Sequence, residues 1–366
     1  KQSRDVGGRQ VNTQDSFGSG EYEAAYRYEE PNNRDHDIFQ LDVNFDFGFA
    51  TLTSATSFTE YKERGQRDQT DFNLFVFPPF ADISGFDGFS VYSTETADTE
   101  TFTQELRLVS QGESRLTWLA GIFYLDIDEK TTSTETAPGL SDYGNANEFP
   151  GFYDDTDVIY AFQGRNKLQE TALFGQIGYQ FTEAWQATIG GRWFDVENTL
   201  DGCTQFPIDF FDAGCEQGDA SGDESIFMFN TSYQFTEAML GYVTVSEGYG
   251  LGGSNPVPVC DDPAGNCIAE SEAFVDPETV TNYELGMRTA WLNNTLTLNG
   301  AIYLMDYENI HVFGPSQVNP AIFITKSAGQ AESTGIELEL TAALGQFWWT
   351  AAGYTYNESE LSQDSD

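Results

Sequence analysis

Runs of alternating apolar and polar residues recur along this chain, and they recur in pairs. In Ile38 to Phe47, Phe39, Leu41, Val43, Phe45 and Phe47 share one parity, while Gln40, Asp42, Asn44 and Asp46 share the other. Between Asn282 and Trp291, Tyr283, Leu285, Met287 and Trp291 oppose Asn282, Glu284, Gly286 and Arg288. Trp185 to Asp195 and Gly335 to Thr341 repeat the pattern, the latter with Ile336, Leu338 and Leu340 against Glu337 and Glu339. A period of two places each set on one face of a strand, whereas a helix would scatter it around its surface. Charges on every second residue would ruin a doubly buried strand but suit a wall with lipid on one side and water on the other.

The pattern predicts about twelve strands, joined as hairpins over 37–47 with 49–62, 100–110 with 115–128, 167–181 with 184–198, 224–235 with 237–249, 278–291 with 295–308, and 332–343 with 347–358. Connections inside each pair are short and polar, such as Thr182-Glu183 and Asn293-Asn294. The opposite connections, 63–99, 129–166, 199–223, 250–277 and 309–331, are far longer. Bacterial outer-membrane barrels segregate their loops in this way, short turns in the periplasm and long loops outside. The expected fold is therefore all-β: a transmembrane antiparallel up-and-down barrel, of which residues 1–366 form part.

Composition fits that reading. Mean hydropathy is −0.41, and no apolar run approaches the roughly 20 residues of a membrane helix. A barrel strand needs only about 9 to 11 residues, every other one apolar, so it hides from such an average. Aromatic residues make up 15% of the chain; many sit near strand ends, Trp118, Trp185, Trp193, Trp291 and Trp348 among them. They suit an aromatic girdle at the headgroup level, and equally the ordinary preference of rings for pleated sheets.

Charge excludes one class of partner. Acidic residues outnumber basic ones 59 to 16, for a formal net charge of −43, and such a surface repels nucleic acid. Solvation in a salty medium explains the excess more simply than cation binding does. Cys203 and Cys215 fall in one predicted loop, and Cys260 and Cys267 in another, which reads as two local disulfides made in an oxidising compartment. The competing zinc site finds no usual spacing and no nearby His. Asp261, Asp262 and Asn266 could hold calcium. Catalysis finds no support: His36 and His311 are the only histidines, and there is no phosphate loop and no HExxH. No cofactor is expected.

Several stretches resemble the barrel of TonB-dependent outer-membrane receptors. Pro277-Glu-Thr-Val-Thr-Asn-Tyr-Glu-Leu-Gly-Met-Arg288, continued through Leu292-Asn-Asn-Thr-Leu-Thr-Leu-Asn299 to Tyr303-Leu-Met-Asp-Tyr307, is the clearest, followed by Ala328-Gly-Gln-Ala-Glu-Ser-Thr-Gly-Ile-Glu-Leu-Glu339. Phe102-Thr-Gln-Glu-Leu-Arg-Leu-Val-Ser110 before Trp118-Leu-Ala-Gly-Ile-Phe-Tyr124 is similar to an earlier hairpin of that family. Ser246-Glu-Gly-Tyr-Gly-Leu-Gly-Gly-Ser-Asn255 resembles its strand exit, with Gly250 where the family commonly has Arg or Lys.

The resemblance implies a plugged barrel of about 22 strands, coupled through an N-terminal region to the TonB–ExbB–ExbD complex, embedded in outer-membrane lipid, and importing a small-molecule nutrient. By family that nutrient is most often a ferric siderophore or other iron complex. A porin-like channel, a carbohydrate or cobalamin receptor and a soluble β-sandwich adhesin are the alternatives. With no initiating Met, no signal peptide and no terminal aromatic, the chain reads as an internal piece lacking the plug and the last strands.

Candidate ligand contacts are the loop aromatics Phe72, Phe75, Phe77, Phe80, Phe86, Phe89 and Tyr92 in one loop and Phe149, Phe152, Tyr153 and Tyr160 in another, together with Tyr249; packing of the loops against each other is the other reading of these rings. Glu284, Arg288, Glu337 and Glu339 are expected to face the lumen, as partners for each other or for a plug, or simply solvated. Gly286, Gly300 and Gly335, inside strands, are expected to mark a bend or the close approach of another backbone.

Overall fold

The computed structural model describes residues 2–7, 27–76, 85–146, 156–205, 214–255, 257, 259, 268–320, 322–327, 329–345 and 347–363. Its strands are β1 (Gln2–Gly7), β2 (Pro31–Asp46), β3 (Ala50–Asp68), β4 (Tyr92–Ser110), β5 (Leu116–Thr136), β6 (Val158–Gln180), β7 (Trp185–Gln205), β8 (Gly214–Thr236), β9 (Met239–Gly250), β10 (Gly253–Ser254), β11 (Phe274–Val275), β12 (Glu278–Trp291), β13 (Leu296–Glu308), β14 (His311–Pro315), β15 (Phe323–Ser327), β16 (Gln330–Leu344) and β17 (Trp348–Gln363). Two short helices, α1 (Thr70–Val76) and α2 (Leu140–Ala146), follow β3 and β5.

Thirteen of the strands make one sheet in the order β1-β2-β3-β4-β5-β6-β7-β8-β9-β12-β13-β16-β17. Every neighbouring pair is antiparallel. This is the meander that the paired alternations predict. A sandwich would pack a second large sheet on one face, and among the described residues there is none. Tight turns close the hairpins at one end: Gly48, Gly112 and Gly345 take positive φ of 84°, 97° and 82°, a conformation glycine adopts without steric cost.

One face is apolar. Phe39, Leu41, Val43 and Phe45 on β2, Leu173 and Ile177 on β6, Ile189 and Trp193 on β7, and Leu285 and Met287 on β12 all project outward and are largely exposed, Phe39 at 62% and Ile189 at 59%. Large exposed side chains in such number would be a liability in water and suit a wall set in lipid. Two apolar grooves of about 770 and 620 Å³ lie on this outward face, walled by Trp118, Ile177 and Phe227 and by Trp185, Leu285 and Leu338 respectively.

The structure corrects the strand lengths. From β3 to β8 the strands run 19 to 23 residues, about twice what a bilayer requires. Much of 63–99, 129–166 and 199–223 is therefore strand. Their polar composition disguised them, because above the bilayer both faces of the wall are wet and the apolar half of the alternation disappears. The outward face then carries charges: Lys62 lies opposite Asp98 and Asp98 opposite Lys130, and Arg64 reaches Asp98 at 2.7 Å.

Candidate functional site

Opposite the lipid face, the same strands line the expected lumen, and there the described residues hold a packed apolar patch. Ala172, Phe194 and Val196 are buried, with Phe123, Leu168, Ile226, Tyr249 and Leu251 packed against them. Strand order explains how Tyr249 arrives. Pairing between β8 and β9 stops near Met228 and Ser246, while β8 continues up beside β7 to Gly214. The end of β9 is thus released from β8, and Tyr249 stacks on Phe194 with ring centroids 3.7 Å apart. Beneath this stack the Arg192 guanidinium donates to the buried carboxylate of Glu170 and lies 5.1 Å from the centre of the Phe123 ring.

A second lumen cluster centres on Tyr242. Its hydroxyl donates to Glu284, and Arg288 lies 5.4 Å from its ring centre. The ring covers Gly286, its direct cross-strand partner; a Cβ there would fall 2.3 Å from it. Tyr303 covers Gly335 in the same manner, at 2.4 Å, and Phe174 covers Gly121, also at 2.4 Å. At Gly286 and Gly335 the expected approach of another backbone is replaced by a neighbouring aromatic ring, the pairing by which rings shield glycine in sheets. A Cβ at Gly300 would meet the side chain of Leu338 at 3.0 Å. Glu337 and Glu339 stand exposed on the lumen face of β16.

Beyond the bilayer, the connections after β3 and β5 fold together. Asp68 accepts from the backbone N–H of Thr70 at 2.9 Å and of Tyr28 at 3.0 Å; Asp157 accepts from those of Gly139 at 2.9 Å and Ser141 at 3.0 Å. Partial burial works to raise both carboxyls, but these donors outweigh it and hold each below the usual carboxylate range. Val91, Ala137, Leu140 and Ile159 form the buried filling. Burial pushes the Glu135 carboxyl up, Glu95 adds to the effect, and the Asn73 amide, donating at 3.3 Å, opposes it.

The predicted aromatic contacts divide accordingly. Phe86 stacks on Tyr143 at 4.8 Å and meets Phe89 at 5.8 Å, Phe89 is buried, and Tyr92 lies 5.0 Å from Tyr28. Tyr160 is half-buried and Phe72 exposed. The side chain of Phe75, and residues Phe77, Phe80, Phe149, Phe152 and Tyr153, lie outside the described residues, as do Cys260 and Cys267 with the calcium candidates between them. Cys203 and Cys215 are disulfide-bonded across directly opposed positions of β7 and β8.

Residues 2–366 match the family model described as "TonB dependent receptor-like, beta-barrel". The chain belongs to this family. TonB-dependent receptors are β-barrels of the bacterial outer membrane and are not enzymes, so the apolar belt faces that membrane. The pesticin receptor of Yersinia pestis is 28% identical over 72% of this chain, which spans 34% of that protein. A probable TonB-dependent siderophore receptor of Acinetobacter baumannii is 31% identical over 26% of the chain and 12% of its own length.

Among solved structures, the ferric yersiniabactin uptake receptor of Yersinia pestis superposes with a TM-score of 0.70 at 16% identity, covering 92% of this chain and 44% of that one. A copper transporter, OprC, gives 0.58 at 12% identity over 91% and 47%. These likenesses show the shared barrel fold.

The lumen residues that sequence reading passed over are Phe123, Glu170, Phe194 and Tyr242, while Arg192 was read only as a member of the inward set of its strand. Parity alone would have placed each on the polar face. What it lacked was a reason to single out apolar residues on a face expected to be wet.

Proposed function

We propose that the whole protein of which this chain is part is an active outer-membrane importer of a scarce nutrient, coupled to TonB, with an iron or other metal complex as cargo. The observation that carries this reading is the family match over the length of the chain, joined to a wall whose polar lumen face holds an aromatic patch below a folded outer cap. Curated relatives add support: besides the two above, a ferric-pyoverdine receptor of Pseudomonas putida is 30% identical over 28% of this chain and 12% of its own length. In this reading Tyr249, the exposed Phe72 and the loop aromatics outside the described residues offer ring surface to the cargo. Phe86 and Phe89 serve the cap instead.

The test is growth of an iron-starved strain, stripped of its own receptors, that expresses the full-length protein and is fed ferric chelates. Growth should need the receptor, TonB and an energised inner membrane together. Equal growth without TonB would make the barrel a passive channel.

A further inference from the structure

This inference concerns the cargo of the import reading above and rests on it. Segments 68–106, 131–164, 193–287 and 289–325 contain no Lys or Arg, although they hold nearly all of the loops. The few cations that remain are sorted by face. Lys62, Lys130 and Lys167 share the outward parity of the wall, and the other described lysine, Lys326, sits off the wall on β15, near Glu272. On the lumen face stand arginines, and four of them are ion-paired. Arg34 pairs with Glu63 at 3.0 Å, Arg107 with Glu105 at 3.5 Å, Arg67 with Glu95, and Arg192 with Glu170. Arg288 lies over Tyr242, whose hydroxyl is held by Glu284. Gly250, at the end of β9, lies directly opposite Glu278.

Among the side chains described on the lumen wall, an anion entering this mouth would meet arginines already paired with glutamate or laid on a ring, inside a strongly negative field. Fields of this kind change association rates by about ten- to a thousandfold at low salt. Rings and apolar surface are what the wall offers instead, with Tyr249 on Phe194 and the neutralised Arg192 below. Nor is a bare metal ion the better fit. The described residues contain no group of three or more His, Cys, Asp or Glu placed to hold one.

We infer that the cargo of this receptor carries no net negative charge: it is a neutral or cationic complex, recognised through ring and apolar contacts, and anionic chelates are turned away.

Two measurements on the full-length receptor test this separately from the transport reading. In the first, Gly253→Cys places a thiol where a side chain meets nothing within 4 Å. Its modification by a cationic and an anionic methanethiosulfonate of matched size is followed, each rate divided by that of a free thiol. The cationic reagent should react about tenfold faster or more, with the ratio shrinking as salt screens the field. A ratio at or below one overturns the inference.

In the second, iron-starved cells are offered a neutral ferric trihydroxamate, its analogue with a pendant ammonium, and a trianionic ferric tris-catecholate. The first two should enter about tenfold faster than the third, and equal or faster entry of the trianion also overturns the inference. Failure of all three to enter defeats the reading of iron import, and the thiol ratio then decides the charge question alone.

Discussion

Glycine facing an aromatic ring is the device that recurs at the scale of single residues. Tyr303 lies on Gly335 and donates nothing to it; its hydroxyl accepts from Asn357 Nδ2 at 2.9 Å. Gly335→Val would force the ring off the sheet, because Ile336 and Glu337 hold the register on either side. The expected loss is about 1 to 3 kcal/mol, the usual cost of overpacking, read as a lower temperature for loss of the folded band in heat-modifiability gels. Gly353, beside which a Cβ meets nothing within 4 Å, should tolerate Ala with almost no change. Parity can be tested on β16 as well. Leu338 is exposed to lipid and Glu339 to the lumen. Leu338→Arg should cost about 2 to 4 kcal/mol near the midplane, while Glu339→Gln should cost far less; equal assembly defects would mean that the two faces are reversed.

Elements above the bilayer depend on carboxylates more than those within it. Asp68 and Asp157 each close the start of a short helix, and both carboxyls are held below their ordinary values. A depressed carboxyl stabilises the fold fully above its unfolded pKa, and that contribution is lost as pH falls through the folded value. Glu135, raised by burial, works in the opposite sense, since protonation relieves its desolvation. Two depressed groups against one raised group predict a cap that loosens as pH drops below about 4, while the strand ladder persists. Limited proteolysis at pH 7 and pH 3 checks this: cutting near α1 and α2 should rise at low pH with the barrel core still intact. Asp157→Asn should bring the same loosening at neutral pH.

The whole molecule has two unlike ends, and its topology follows from them. Hairpin turns such as 182–184 and 292–295 lie at the end of the wall next to the short aromatic-rich strand termini, while the tall arms of β3 to β8 project from the other. In intact cells expressing the full-length protein, an added protease should cut only in the long connections, within 77–91, 137–157, 206–213, 251–273 and 309–331. Cleavage at Thr182-Glu183 or Asn293-Asn294 without permeabilisation would invert the orientation.

Alternation with period two determined much by itself: the strands, their hairpin pairing, and which residues share a face of the sheet, with Glu284, Arg288, Glu337 and Glu339 on the one opposite Leu285 and Leu338. Those are local properties, because the pleat fixes where each side chain goes once a residue is in a strand. The height of the wall above the bilayer was not legible, since strands with water on both faces carry no apolar mark. Nor was the lumen patch. Phe123, Phe194 and Tyr249 come from three different strands, and only the register of β5 to β7, together with the release of β9 from β8, brings them into contact. The pairing of Arg34, Arg67, Arg107 and Arg192 with glutamates was equally out of reach. Arg192 finds Glu170 across a hairpin, 22 residues away in sequence, and a chain with 59 acidic residues offers too many candidate partners for spacing alone to choose one.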